Sequence, residues 1–238
     1  MNQITIKQKQ FNVAMKKYNQ NNYYKNIYFL VSLINVTLQM ILLVKLFTIS
    51  LPWYIYILGL FIAYFITDFI NGLVHMYMDN NDNYNSIWGP FIASFHLHHK
   101  TQKYKDANLL KIYFNESGAK FWLVIYLLAI LFLSFLNTNS FIMFVLILVG
   151  VLSSIAEISH YLCHNNSSKL VLFLQDIGIL LSMKHHTNHH QYNNRSYAFL
   201  NGKSDFLIDF IAQKLYSGYV DGTDKHFENY YGEGTCNR

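Results

Sequence analysis

Residues 53–79 read WYIYILGLFIAYFITDFINGLVHMYMD. Trp53 to Met78 is apolar for longer than the roughly 20 residues that cross a bilayer, and Pro52 just before it suits a helix start. Near its far end the run changes character: Asp68, Asn71, His75 and Asp79 recur at steps of three and four, which places them on one helical face. Ionisable groups in a membrane helix are costly, so a polar stripe of this kind points first to a functional site. The bland alternative is ordinary polarity at a helix end.

Composition agrees with a membrane setting. The chain has 238 residues, 53% hydrophobic, 17% aromatic and only 13% charged. This length fits one domain that needs no disulfide framework. Cys163 lies inside an apolar run and reads as a small buried residue, and Cys236 is far from it. The net charge is +5, but the lysines flank apolar runs instead of forming a stripe, which argues against nucleic acid.

Working outward, residues 1–26 form a polar arm with Lys7, Lys9, Lys16, Lys17 and Lys25 and no acid. No apolar core lies near enough to the N-terminus for a cleaved signal peptide. Ile27 to Ile49 reads as the first span, interrupted by Asn35, Gln39 and Lys45, and residues 53–78 as the second. A polar loop from Asn80 to Lys120 follows, with Lys100, Lys103, Lys105 and Lys111. Phe121 to Leu136 is a third span if Lys120 snorkels to the interface. Phe141 to Cys163 is a fourth, ending on Glu157, His160 and His164 at i, i+3, i+7. Leu170 to Leu181 and Asp205 to Tyr216 are too short to span and suit the interface. Residues 217–238 form a polar tail in which His226 reads as solvated.

The fold expected is all-α: a polytopic membrane protein with about four transmembrane helices and a cytoplasmic, histidine-rich cap of short interfacial helices. Residues 27–216 form its one domain. The sidedness comes from charge alone. The basic arm and the lysine-rich loop lie on one side of the spans and the lysine-free turn Asn137 to Ser140 on the other, so both termini are expected in the cytoplasm. The membrane is then the endoplasmic reticulum or a bacterial inner membrane.

That topology gathers the eleven histidines. His75 stands at the end of span two and His160 and His164 at the end of span four. His96, His98 and His99 lie in the loop. The densest group, Lys184-His185-His186-Thr187-Asn188-His189-His190, follows the first short helix. On a helix His185 and His189 share one face, and His186 and His190 share another. Imidazole is the commonest metal ligand among side chains. Roughly nine candidates at one depth exceed the three or four that zinc needs and suit two metals. Histidine with a few carboxylates fits first-row metals, iron above all for oxygen chemistry. Two irons with O₂ as co-substrate could take hydrogen from an unactivated C–H bond of a lipid chain, in a pocket walled against water.

The residues also resemble the plasmanylethanolamine desaturase (Kua-type lipid desaturase) family, which includes the chloroplast enzyme that desaturates palmitate on phosphatidylglycerol. The family's Asp-Phe-x-Ser-Gly-Leu-Val-His with a following Asp is similar to Asp68 through His75 with Asp79. Its Phe-x-x-His-His resembles Phe95 to His99, its His-x-x-x-His resembles His160 and His164, and its Leu-Gln-Asp before Lys-His-His-x-x-His-His resembles Leu174-Gln175-Asp176 before Lys184 to His190. A Tyr beyond this box is matched by Tyr197. The resemblance runs from about Trp53 to Tyr216.

The resemblance implies His75, His98, His99, His160, His164, His186, His189 and His190 as iron ligands, with Asp79 as a ninth. His185, Glu157, Asp68 and Asp176 are expected around them as hydrogen-bond partners, since ligating imidazoles pass their second N–H to an acceptor. No catalytic residue is expected apart from the metal ligands. The activity implied is O₂-dependent desaturation of an alkyl or acyl chain of a membrane phospholipid, such as the vinyl ether of a plasmalogen. Lipid hydroxylation by the same chemistry stands beside it. The sequence carries no haem or flavin motif, so electrons would come from a separate donor, a cytochrome b5-like protein or a ferredoxin. A metal transporter is a more distant reading, because its ligands would belong near mid-membrane. A zinc hydrolase would leave most of the histidines unexplained.

Overall fold

A computed structural model of the chain describes residues 3–100, 106–165, 168–192, 194–216, 226, 227 and 230. Lys103, Lys105 and most of the C-terminal tail lie outside them. The described residues form ten helices and no strand: α1 (Gln3–Gln20), α2 (Asn22–Leu46), α3 (Trp53–Asp79), α4 (Gly89–Lys100), α5 (Leu109–Ser117), α6 (Phe121–Leu133), α7 (Ser140–Asn165), α8 (Lys169–Asp176), α9 (Met183–Gln191) and α10 (Asp205–Leu215). The protein is therefore an all-α, polytopic membrane protein. α2, α3 and α7 are long and apolar enough to cross a bilayer.

The third span expected from the sequence, Phe121 to Leu136, takes a different form. α6 is 13 residues, about 20 Å of helix, against a hydrocarbon core of about 30 Å. It meets α5 at an 89° bend, and only this broken pair together qualifies as a span. The loop expected from Asn80 to Lys120 accordingly contains two helices, α4 and α5. A break inside apolar surroundings exposes backbone carbonyls that must be satisfied by protein. Asn35 of α2 does this, donating from Nδ2 to the carbonyls of Ser117 (2.9 Å) and Lys120 (3.2 Å). Gln39, one turn on, donates to the Gly150 carbonyl of α7 and the Ser154 hydroxyl, and accepts from the Tyr113 hydroxyl of α5. Asn35 and Gln39, two of the three polar interruptions of the first apolar run, are thus the pins of the bent segment. Lys120 does not snorkel outward: it is 4% exposed and turned inward.

The central contact is α3 on α7, through Ala63, Phe144, Val145, Val149 and Leu152. The N-terminal arm is a helix with a core of its own. Phe11, Ala14 and Met15 of α1 are buried with Tyr84, Ile92, Ala93, Leu97 and Phe227, and Lys7 forms an ion pair with Asp82 at 2.9 Å. α1, α4 and Phe227 thereby share one core. α8 and α10 leave Leu170, Phe173, Phe206 and Phe210 exposed, as suits helices lying in an interface.

Candidate metal centre

The polar stripe of α3 is buried along its whole length: Asp68, Asn71, His75 and Asp79 are each at most 3% exposed. Its first member organises backbone. Asp68 accepts hydrogen bonds from the N–H groups of Leu200, Asn201, Gly202 and Ser204 and from the Ser204 hydroxyl. This fixes the segment before α10 against α3. Gly72 allows the approach, since a Cβ there would lie 3.0 Å from the Ala198 Cα. The same segment presents the Tyr197 carbonyl to His75 Nδ1 at 2.9 Å.

That carbonyl decides a tautomer. A carbonyl can only accept, so Nδ1 of His75 carries the proton and Nε2 the lone pair. The same holds for His98, whose Nδ1 meets the Phe95 carbonyl at 2.6 Å, and for His189, whose Nδ1 meets the Arg195 carbonyl at 3.1 Å. Three lone pairs are thus set by backbone. Two of them face one carboxylate oxygen, with His75 Nε2 and His189 Nε2 each 3.3 Å from Asp79 Oδ2. His99 Nε2 lies 2.9 Å from the other oxygen. Acceptor facing acceptor in a buried place is repulsive unless a cation stands among them. His75, Asp79, His98, His99 and His189 together offer ligand atoms within 4.8 Å of one another.

A second group adjoins the first. His160, His164 and His186 also bring ligand atoms within 4.8 Å of each other. The Nε2 of His186 is 2.9 Å from that of His160 and 3.0 Å from that of His190, and the Nε2 of His164 is 3.2 Å from that of His160. Each Nε2 offers one in-plane site, a proton or a lone pair, so these three contacts cannot all be good hydrogen bonds. Nitrogens about 2.1 Å from a shared ion would be spaced roughly like this. The groups touch ring to ring: His98 and His160 centroids are 5.9 Å apart, and those of His99 and His190 4.9 Å. Burial among other imidazoles holds His98, His186 and His190 well below the usual histidine range, so they are neutral, the form a metal binds. The donor set therefore fits two metal ions.

α9 divides its histidines by face. Ser182 caps it, accepting the His185 N–H. His186 and His190 turn to the second group and His189 to the first. His185 instead pairs with Asp205 at 2.5 Å, which raises its pKa, and Asp205 also accepts the Ala198 N–H. Of the other expected partners, Glu157 Oε2 lies 3.9 Å from His160 Nδ1, Asp68 holds backbone as described, and Asp176 is exposed at the end of α8. His96 spends both nitrogens on the protein, Nδ1 on the Tyr84 hydroxyl and Nε2 on the Met78 carbonyl, each at 2.8 Å, and burial lowers its pKa to about 4.

The reading of His226 as solvated is corrected. It is 3% exposed, with Nδ1 3.1 Å from the Tyr84 hydroxyl, because Phe227 enters the α1–α4 core and carries it inward. Lys100 fastens the same segment by donating to the Tyr230 carbonyl at 2.7 Å. Lys120 was also missed as a site neighbour. A lysine in one apolar run and Glu157 in another was the available signal, since charges within a membrane seek each other.

A cavity of about 520 Å³ opens onto His75, His98 and His160. Its walls are mostly aromatic and aliphatic, including Val74, Phe91, Phe95, Phe121, Trp122 and Phe199, with Asn71, Lys120 and Glu157 among the polar residues that also line it. Size and lining suit an apolar chain.

Residues 64–216 match the family profile described as the lipid desaturase domain. No curated protein and no solved structure matches the chain. The matched span covers well over half of the chain and takes in both histidine groups, so the protein belongs to the lipid desaturase family.

Proposed function

We propose that the protein is an O₂-dependent di-iron desaturase of a membrane phospholipid, acting on an alkyl chain to form a vinyl ether as plasmanylethanolamine desaturases do. The observation that carries this reading is the pair of backbone-fixed lone pairs, His75 Nε2 and His189 Nε2, both 3.3 Å from Asp79 Oδ2, beside a second cluster of imidazole nitrogens. His75, Asp79, His98, His99 and His189 would hold one ion, and His160, His164, His186 and His190 the other. Iron held in these places would supply the coupling of O₂ reduction to loss of hydrogen from an unactivated C–H bond.

The chain's own residues do the rest. The carbonyls of Tyr197, Phe95 and Arg195 hold His75, His98 and His189 in one tautomer and orientation. Phe91, Phe95, Phe121, Trp122 and Phe199 wall the substrate chain beside His75, His98 and His160 and keep water out. In the net reaction a CH₂–CH₂ unit, O₂, two electrons and two protons give CH=CH and two waters. The electrons come from a separate donor, a cytochrome b5-like protein or a ferredoxin, on the cytoplasmic side. Placement of the histidines at one end of the spans, away from mid-membrane, disfavours a transporter.

The test is expression in a host that makes alkyl-ether phospholipids, followed by lipidomics and metal analysis of the purified protein. Vinyl-ether product with about two irons per chain is expected. New acyl double bonds without vinyl ether would move the substrate to an ester-linked chain. One zinc and no iron, with both supplied, would end the di-iron reading.

A further inference from the structure

Lys120 sits at the bend between α5 and α6. An ammonium group in this apolar setting is costly and marks a functional contact by default. Its Nζ lies 2.9 Å from Glu157 Oε1 and 2.5 Å from Asn71 Oδ1, with the Phe199 ring centre at 4.9 Å. The anchors are themselves fixed. Asn71 Nδ2 donates to the Thr67 carbonyl and the Ser153 hydroxyl, and Asn35 holds the Lys120 carbonyl.

The carboxylate of Glu157 is thus divided between two cations or donors. One oxygen is held by Lys120. The other is 3.9 Å from Nδ1 of His160, whose Nε2 stands in the second histidine group, 2.9 Å from that of His186 and 3.2 Å from that of His164. At that distance the carboxylate acts on Nδ1 by charge, favouring the proton there and so leaving the lone pair on Nε2. A carboxylate locked by a lysine does so in one orientation.

We infer that Lys120 is a positioning residue for the second metal group: acting through Glu157, it sets the tautomer and orientation of His160 and ties that group to the bent α5–α6 segment. The inference rests on the reading that the histidines hold metal. Two of the three donors of the ammonium are accounted for by Asn71 and Glu157, which ties the lysine to the carboxylate even though it also lines the cavity.

The experiment uses the full chain purified in detergent and reads Fe(II) affinity by chelator competition and the visible spectrum of the Co(II)-loaded protein. Glu157→Gln is expected to weaken Fe(II) binding about 10–100-fold, as loss of an outer partner does, and to move the Co(II) bands. Lys120→Gln, which removes the charge but keeps a donor, should move both in the same direction. Lys120→Met/Glu157→Gln should match Glu157→Gln alone, because a residue that acts only through Glu157 has nothing left to act on. The double variant also avoids stranding a buried unpaired carboxylate, so it is the safer fold. Wild-type affinity and spectrum in Glu157→Gln would overturn the inference. So would losses that multiply in the double variant, or a Lys120→Gln protein with a raised KM and unchanged metal binding, which would make the lysine a substrate contact. A wild-type protein that takes up no Fe(II) would instead sink the metal reading beneath it.

Discussion

His160 of α7 and His186 of α9 bring their Nε2 atoms to 2.9 Å of each other, both rings buried, across 26 residues of sequence. Neither helix alone could make a metal group: α7 supplies His160 and His164, and α9 supplies His186 and His190. His186→Ala removes the nitrogen that contacts both His160 and His190. Its expected effect is loss of desaturation by more than the roughly 10–100-fold that outer partners cost, together with loss of about one of two irons. Metal analysis and product formation, both normalised to membrane-inserted protein, decide it. Full iron content in an inactive variant would place His186 outside the metal groups.

Asp79 is the matching probe of the other group. Its two oxygens meet His99, His75 and His189, so Asp79→Asn replaces an acceptor-only group with one that carries N–H donors of the same size. An amide N–H directed at one imidazole lone pair satisfies the apo protein but cannot hold a cation. The expected outcome is a protein that is folded and at least as thermally stable without metal, yet has lost iron from one group and its activity. An Asp79→Asn protein with two irons and wild-type turnover would contradict this.

What the sequence disclosed and what it hid follow from range. His75 and Asp79, or His160 and His164, share a helical turn, and periodicity alone puts them together. The allotment of α9 is only half legible. His186 and His190 do lie together, but His185 and His189, which share the other face, part company: His189 goes to Asp79 and His185 to Asp205. The divergence comes from the segment after α9, whose Ala198 N–H and Arg195 carbonyl select the partners, and no local pattern reports that. The bend at Lys120 was hidden for a similar reason. A 13-residue apolar helix reads like a trimmed span until Asn35 and Gln39 are seen to be its pins. His226 has no partner at helical spacing, and its partner Tyr84 lies 142 residues away.

The burial of His226 changes what its replacement should do. His226→Ala would leave the Tyr84 hydroxyl with one imidazole instead of two and open space beside Phe227, at a cost of about 1–3 kcal/mol. A lower melting temperature with iron content and turnover per folded molecule nearly unchanged is expected, because its ring contacts the Tyr84 hydroxyl and belongs to neither metal group. Loss of iron with no loss of stability would bring His226 into the metal centre.

Sidedness can be read with single cysteines after Cys163 and Cys236 are replaced. Asn21 precedes α2 and Asn83 follows α3, with α2 and α3 joined through the turn at residues 47–52. Two crossings place these positions on the same side, and Thr138, before α7, on the other. From the lysine distribution the first side is expected to be the cytoplasmic one. Membrane-impermeant thiol reagents on intact cells should label position 138 and spare positions 21 and 83. Labelling of 83 and 138 together would contradict the topology.

The last prediction concerns a residue with no side chain. At Gly72 a Cβ would stand 2.4 Å from Ile208 Cδ1, 3.0 Å from the Ala198 Cα and 3.1 Å from the Ala198 nitrogen. The isoleucine end can rotate away, but the Ala198 backbone cannot, because its N–H is held by Asp205 at 2.8 Å and the next turn of chain is held by Asp68. One residue earlier in that segment is Tyr197, whose carbonyl fixes Nδ1 of His75. Gly72→Ala should therefore push the segment off α3, destabilise the protein by about 1–3 kcal/mol and weaken iron in the group that contains His75. Gly72→Ala/Ile208→Ala separates the two clashes. It relieves the side-chain contact and leaves the backbone one, so iron binding should stay impaired even where some stability returns. Melting temperature and iron stoichiometry, measured on the same preparations, give the answer: full iron in Gly72→Ala would mean that the Tyr197 carbonyl does not govern His75, and full rescue in the double variant would mean that Ile208 alone sets the spacing.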